Sequence, residues 1–529
     1  MMKLKYILLV LIIGVCFAGC DDDSFLGDNR DPDGIDEVPP SQIMPVVLFY
    51  SALQNYDHAE YGAYLSQTLT TAGRSQATAL AYKSGWEFLG MNRHPQWRRH
   101  FFDIGANVNE VITLAGEEDS YNYVALARLI RLMSVQYTTD VFGDMPLSEA
   151  YLSGSPAYDT QESIYEWLEE EADEVIALLK SDRARSEDNR LLDQRIDRVF
   201  GGDLEKWTQV AYAVKARILL RQIPNMTQNP SVADQILDYA MTALDGWEDP
   251  GYKFDGGSSI EKNNMWGRNN APINAWESRA NNLNGAIPTR FFVEDLMGFD
   301  SDTEEADDPR LHYIMKPRGN AAAGVDTTYR YLDSNSGMPA THRIEEYPDM
   351  YQSVLTTDTS TIVLITRGEL HFIASEAAYW SGDKGVAADQ MREGIRYHMN
   401  RLQVSSEEID QYLDNADLVP GASNITIRDI MQEKYKALYL QPELWNDMRR
   451  YGYSNNDNDL RFDDVIIYPS LSRPHNLYEP YWGGSDDWLQ RINYDPETEE
   501  RYNREELIRL DAFRNPEWLK KPMIWAPQN

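Results

Sequence analysis

Apolar residues recur along most of this chain at the i, i+3, i+4, i+7 spacing that marks one face of a helix. Met44 to Leu53, continuing through Tyr64, is the first such stretch, with Ser41 placed as its N-cap. In Tyr123–Tyr137 the shared face is Tyr123, Leu126, Ala127, Ile130, Met133 and Tyr137. In Glu162–Lys180 it is Ile164, Leu168, Ala172, Val175, Ile176 and Leu179. Asp203 is positioned to cap a helix carrying Trp207, Val210, Ala211, Val214 and Ile218. Trp97 opens a helix over Trp97–Leu114, and later stripes are Leu370, Ile373, Ala374, Ala377, Ala378 and Ile427, Ile430, Met431, Leu438. Strand-like runs are few; Thr361–Ile365 and Val465–Tyr468 are the best of them.

Long segments rich in Gly, Asn, Pro and aromatic residues separate these helices: Thr71–Gln96, Asp249–Pro288, Pro317–Ser360 and Tyr453–Asp495. Loops of that length are uncommon in compact domains and usually carry function. The pattern predicts a mainly α, single domain over residues 41–529, a helical scaffold bearing elaborate loops. Small residues at the helix contacts suggest helix–turn–helix stacking, without a clean 34-residue repeat signature.

The first residues change the picture. Lys3 and Lys5 precede the apolar run Tyr6 to Ala18, which ends in Gly19-Cys20 and meets Asp21-Asp22-Asp23. A basic start, an apolar stretch of about 7–15 residues and a small-residue cleavage point describe an export signal, since a membrane span needs about 20 apolar residues. The cysteine makes it similar to a bacterial lipoprotein signal, so residues 1–19 are expected to be removed and Cys20 lipidated. Residues 20–40, acidic and nearly free of apolar side chains, read as a tether. Several acyl chains on one cysteine would anchor the protein durably.

Charge and chemistry narrow the function. The formal net charge is −36, which repels phosphate backbones and makes nucleic acid a poor partner. With Cys16 removed, only Cys20 remains of the two cysteines, leaving no disulfide, no cysteine zinc site and no thiol nucleophile. There is no Gly-x-Ser-x-Gly elbow, His-Glu-x-x-His, phosphate loop or dinucleotide fingerprint. His94 and His100 lack a helical ligand spacing. Asp300-x-Asp302-x-Glu304 and Asn455-x-Asp457-x-Asp459 echo a calcium loop but lack its sixth-position Gly. No metal and no cofactor are therefore expected. Paired carboxylates leave no linear trace, so a hydrolase stays open on the residues alone.

Motifs spread from residue 137 to the C-terminus carry a resemblance. Tyr137-Thr-Thr-Asp140-Val-Phe142-Gly143-Asp144-Met-Pro146 runs on to Glu149-Ala150. Arg367-Gly-Glu369 leads into Phe372-Ile-Ala-Ser375-Glu376-Ala377. Glu433-Lys434-Tyr435 is followed by Glu443-Leu-Trp445-Asn-Asp447-Met-Arg449-Arg450-Tyr-Gly452. Arg491-Ile-Asn-Tyr494 precedes Glu500-Arg-Tyr502-Asn503, and Asp308-Pro309-Arg310 lies between. Together these resemble the SusD/RagB family of outer-membrane nutrient-binding lipoproteins, with Ser454 and Asp495 standing where that family often has Pro.

The resemblance implies a SusD-like fold of four tetratricopeptide-like helix–turn–helix pairs with long irregular ligand-binding loops and little β. It also implies no catalytic activity, placement at the cell surface, and a SusC-like TonB-dependent β-barrel partner under a hinged lid. The captured ligand is an oligosaccharide or a peptide. Glu443, Trp445, Asp447, Arg449 and Arg450 combine opposite charges with an aromatic, which suits a partly buried ion-pair and hydrogen-bond network closing a helix end better than a site. Binding without catalysis calls for stacking rings and amide hydrogen bonds. Candidates are Tyr82, Trp86 and Phe88; Trp266, Arg268, Asn269, Trp276, Arg279 and Asn281; and Tyr331. The loop from Trp266 onward ranks first. A surface glycan-degrading hydrolase and a structural transporter subunit without direct ligand binding are the alternatives.

Overall fold

A computed structural model describes residues 38–73, 81–90, 93–222, 230–257, 262–269, 283, 285–318 and 328–528. About half of the chain is helical. The principal helices are α1 (Pro40–Leu65), α2 (Ala106–Glu117), α3 (Tyr121–Phe142), α4 (Gln161–Lys180), α5 (Leu204–Leu220) and α6 (Pro230–Leu244). After a long irregular stretch come α7 (Arg367–Ser381), α8 (Lys384–Arg401), α9 (Ser406–Asp414), α10 (Ile427–Ala437) and α11 (Glu443–Arg450). Each of α2 through α7 packs on its predecessor, α8 packs on α7, and α10 lies across both. This is the helical-repeat architecture that the stripes predict. Among the described residues no helix is long and apolar enough to cross a membrane.

Caps set where the helices begin. Thr160 accepts from the Ser163 amide, Asp203 from those of Glu205 and Lys206, and Thr366 from that of Glu369. The first helix starts at Pro40, one residue before Ser41. The segment expected to be one helix from Trp97 is helical throughout but contains a π-helical turn over Arg99–Gly105. α1, α3 and α7 are buried on nearly every side rather than along one stripe. Many of their inward polar groups find internal partners: Asp57 on α1 accepts from Arg99 Nε at 3.0 Å, and Asn55 Nδ2 donates to the Leu364 carbonyl at 3.3 Å, whereas the Gln136 carboxamide on α3 has none among the described residues.

Among the described residues, strands form only two-stranded antiparallel ribbons. Leu69–Thr71 pairs with Ala286–Pro288, and Gly251–Tyr252 pairs with Ile362–Val363 inside the run expected to be extended. Val465–Tyr468, the other expected strand, makes only the bridge Phe462–Val465. Its amides are spent elsewhere: Ile467 N–H donates to Ser454 Oγ at 2.9 Å and Tyr468 N–H to the Ser454 carbonyl at 2.9 Å. Ser454 thus pins the following loop through a hydroxyl that a proline would lack. Asp495 does similar work, its Oδ2 accepting the His94 amide at 2.7 Å.

Motifs remote in sequence meet in space. α3 ends at Gly143, whose φ of 85° is open to glycine, and a Cβ there would lie 2.5 Å from Arg491 Nη1. Tyr494 Oη donates to the Asp144 carbonyl at 2.7 Å and its ring stacks on Phe142. The turn leaving α3 and the closing motif are therefore one contact.

Candidate ligand-binding site

The motif-bearing charges build core, not surface. Arg450 Nη2 lies 2.8 Å from Glu376 Oε1 and 2.7 Å from Asp447 Oδ1, and Lys434 Nζ bridges the same two carboxylates at 3.0 and 2.9 Å. Arg221 joins Asp140 at 2.8 Å to Glu443 at 2.5 Å. Arg310 joins Asp308 to Glu433, each at 2.5 Å. The cations hold Asp447, Glu443 and Glu433 below the usual carboxylate range in spite of burial, which alone would raise them. Arg449 lies flat on Trp445, 3.5 Å from its ring centre. All are closed to solvent, so none of them touches a ligand.

The loops carry the exposed chemistry. Trp266 is itself buried, edge-on to Tyr56 of α1 at 4.6 Å, and anchors its loop. Two residues on, Arg268 is half exposed, its guanidinium 4.4 Å above the Tyr351 ring. Arg268 Nη2 donates to Asp349 Oδ2 at 2.9 Å, and Gln352 Nε2 reaches the same oxygen at 3.1 Å. Asn269 is exposed, and its Nδ2 donates to Asp358 Oδ2 at 2.6 Å. Tyr351 Oη accepts the Leu283 amide at 3.1 Å, and burial raises its pKa, so the phenol stays neutral. The result is a flat guanidinium with its charge balanced by Asp349, ringed by carboxamides. Trp276, Arg279 and Asn281 lie outside the described residues, as does Cys20.

The second expected cluster is rearranged by burial. Trp86 is closed off by Trp482 at 5.1 Å and Trp488 at 5.7 Å, and Phe88 stacks on Tyr61 of α1. These two rings hold the loop down and in this conformation offer no face to a ligand. Tyr82 lies in the short helix Ala81–Gly85, and its side chain is outside the described residues. The half-buried ring at this place is Trp488, stacked on Tyr453 at 4.5 Å, with Tyr478 and Tyr481 packed edge-on nearby in the chain. Tyr331 is half-buried, and its hydroxyl donates to Glu294. Sequence reasoning missed Tyr351, Gln352 and Trp488, although each lies in a loop singled out for its length and composition.

The two acidic loops spend their side chains on their own backbone. Asp300 Oδ1 accepts the Asp302 amide, and Asn455 Oδ1 accepts those of Asp457 and Asn458.

A family model described as starch-binding and associating with the outer membrane matches residues 33–467. Among solved structures, a SusD/RagB family protein from Bacteroides thetaiotaomicron superposes with a TM-score of 0.68 at 18% identity, covering 93% of this chain and 100% of that one. A SusD homologue from Bacteroides fragilis gives 0.65 at 16% identity, covering 91% and 99%. A chitin-binding protein gives 0.64 at 17% identity, covering 92% and 100%. No curated protein sequence is a significant match.

Proposed function

The chain belongs to the SusD-like family, described as starch-binding and associating with the outer membrane, and from that premise we propose that it is a non-catalytic glycan-capture lipoprotein of the cell surface. Cys20 is its lipid anchor, residues 20–40 its tether, and a SusC-like TonB-dependent β-barrel its partner, to which it hands oligosaccharide as a hinged lid. The observation that carries the glycan reading is the half-exposed Arg268 guanidinium held 4.4 Å over the Tyr351 ring, neutralised by Asp349, with Asn269 beside it in the chain and Gln352 sharing Asp349. A planar, charge-balanced surface with amide donors and acceptors suits a hydroxyl-rich, uncharged ring. Trp488, half-buried and stacked on Tyr453, is the second candidate contact, through the part of its ring that stays exposed.

Contacts of this kind give affinities in the micromolar range rather than permanent retention, as capture followed by release requires. Calorimetric titration with neutral oligosaccharides and with oligopeptides tests the reading. Saturable binding of a glycan that weakens in Arg268→Ala supports it. Binding of cationic peptides alone, favoured by the net charge of −36, would replace glycan by peptide. Release of reducing ends on incubation with polysaccharide would instead make the protein a hydrolase. Purification from solubilised outer membranes without a β-barrel companion would remove the transport role.

A further inference from the structure

Away from the loops, a cavity of about 320 Å³ opens between the π-helical turn, α2, α3, α4 and the turn that follows α3. That volume lies within the range of small-molecule sites, about 300–1,000 Å³. Trp167 of α4 and Tyr151 supply aromatic walls, while His100, Asn109 and Arg131 supply polar groups.

Features that are costly elsewhere converge on this cavity. His100 and Gly105 sit on the π-helical turn, a rare geometry that is frequent at functional sites. Tyr151 has a φ of 69°, an outlier for a bulky side chain. Its hydroxyl donates to the Phe101 carbonyl at 3.0 Å and fills the space over Gly105, where a Cβ would fall 1.8 Å from Tyr151 Oη. Strain, helix irregularity and a glycine thus all serve to hold one aromatic wall in place.

The polar groups are unspent. Arg131 uses Nη2 on Glu171 at 3.0 Å, but its Nε has no partner, and Nη1 makes no hydrogen bond among the described residues. Glu171 is shared: Arg128 also engages it through Nε at 2.9 Å and Nη2 at 2.6 Å while pairing with Glu174 at 2.5 Å, so Arg131 holds Glu171 through one nitrogen only and keeps donor capacity. Arg131 lies over the Trp167 ring at 5.5 Å, which keeps the guanidinium beside this wall. Asp159, the carboxylate at the rim, is consumed by the amides of Leu147 and Ser148 and the Ser148 hydroxyl, each at 2.8 Å. His100 gives Nδ1 to Ser134 Oγ at 2.9 Å, leaving Nε2. Burial and Arg131 push its pKa down to about 3, so the imidazole is neutral. The Asn109 carboxamide makes no hydrogen bond among the described residues.

We propose that this cavity is a second ligand site, independent of the loop face, that takes one ring-sized molecule bearing a carboxylate, the chemistry of a uronic acid unit. The carboxylate pairs with Arg131, the ring lies against Trp167 and Tyr151, and Asn109 and His100 meet hydroxyls. Neutral sugars of the same size lack the group that Arg131 selects.

Calorimetric titration of the lipid-free mature chain with galacturonate and glucuronate, against galactose and glucose, tests this. The expected result is saturable binding of the uronates only, weakened about tenfold or more in Arg131→Gln. Asn109→Ala, on a half-buried rim position, provides a second variant should Arg131→Gln fail to fold, and is expected to weaken binding several-fold. Arg268→Ala is expected to leave uronate binding unchanged, so this site and the loop face fail or succeed separately. Absence of saturable uronate binding, equal binding of neutral sugars, or unaltered affinity in the Arg131 and Asn109 variants would overturn the proposal.

Discussion

Arg450 Nη2 lies 2.8 Å from Glu376 Oε1 with neither side chain open to solvent. Arg450 comes from α11 and Glu376 from α7, and Lys434 of α10 closes the same network. Charge pairing therefore clamps three helices whose apolar stripes would pack with less specific register. Such clusters add little net stability but are expensive to break from one side.

Glu376→Ala leaves Arg450 and Lys434 with Asp447 as their remaining carboxylate partner. The expected loss is about 3–5 kcal/mol, the range for removing one member of a buried pair. Urea unfolding of the lipid-free mature chain, followed by near-ultraviolet circular dichroism, reads it as a lower midpoint. A change below about 1 kcal/mol, the worth of an exposed pair, would show that water reaches the network.

Acid is expected to destabilise the fold in two stages. Burial lowers His58 and His100 from 6.5 to about 3 and His94 to about 4. Below pH 6.5 the unfolded chain takes up protons that the folded chain refuses, so stability falls as pH drops toward those values. Glu433, Glu443 and Asp447 are held low by their cations, so their contribution is present above the ordinary carboxylate range and is lost as pH falls below it. Glu369 and Asp295, raised by burial to about 7 and about 6, act in the opposite sense, but the histidines and paired carboxylates outnumber them, so denaturant midpoints should decline from neutral to acid pH. His58→Gln should flatten the first stage; a slope unchanged by that substitution would mean His58 is protonated in the fold.

Gly143→Ala tests the meeting of the α3 exit with the closing motif. The backbone there has φ 85° and ψ −123°, and the added Cβ meets Arg491 Nη1 at 2.5 Å. Arg491 is not free to swing away, because its Nε and Nη2 hold the carbonyls of Lys521 and Pro522 at 2.9 and 2.6 Å. Strain of about 1–3 kcal/mol is expected, read as a lower thermal midpoint. A neutral outcome would show that the C-terminal segment moves easily.

Much of this molecule was legible because burial imposes a period. The stripes on α4 and α5 and the Asp203 cap follow directly from residue spacing. α3 is different: Ser134, Gln136, Thr138 and Asp140 are as buried as its apolar residues. Periodicity does not signal that these polar positions will be buried, three of them with internal partners and Gln136 with none among the described residues. Val465–Tyr468 misled for a related reason, since apolar β-branched residues report burial and not which acceptor takes the amides. The site was legible only in part. Composition singled out the loops that carry the proposed site, but Trp86 and Trp266 were the rings that buried themselves, and the partner holding Arg268 lies 81 residues away at Asp349. The cavity at Arg131 draws on several elements with no linear motif.

Trp266 and Arg268 separate anchoring from binding. Trp266 is buried against Tyr56, so Trp266→Ala opens a cavity and is expected to cost about 3–5 kcal/mol of stability. Arg268 is half exposed, and the largely buried Asp349 keeps Gln352 Nε2 and the Tyr351 amide when the guanidinium is removed, so Arg268→Ala should cost less, about 1–3 kcal/mol. The ordering reverses for ligand. Removing the guanidinium from Tyr351 should weaken oligosaccharide binding about two- to tenfold, the worth of one stacked contact. Tyr351→Phe keeps the ring beneath the guanidinium, losing only the contact from Leu283, and should bind nearly as wild type. Melting curves and calorimetric titrations on these variants decide the matter. If Arg268→Ala binds glycan undiminished while Trp488→Ala does not, the ligand lies on the Trp488 face and the Arg268–Tyr351 stack is a loop fastening.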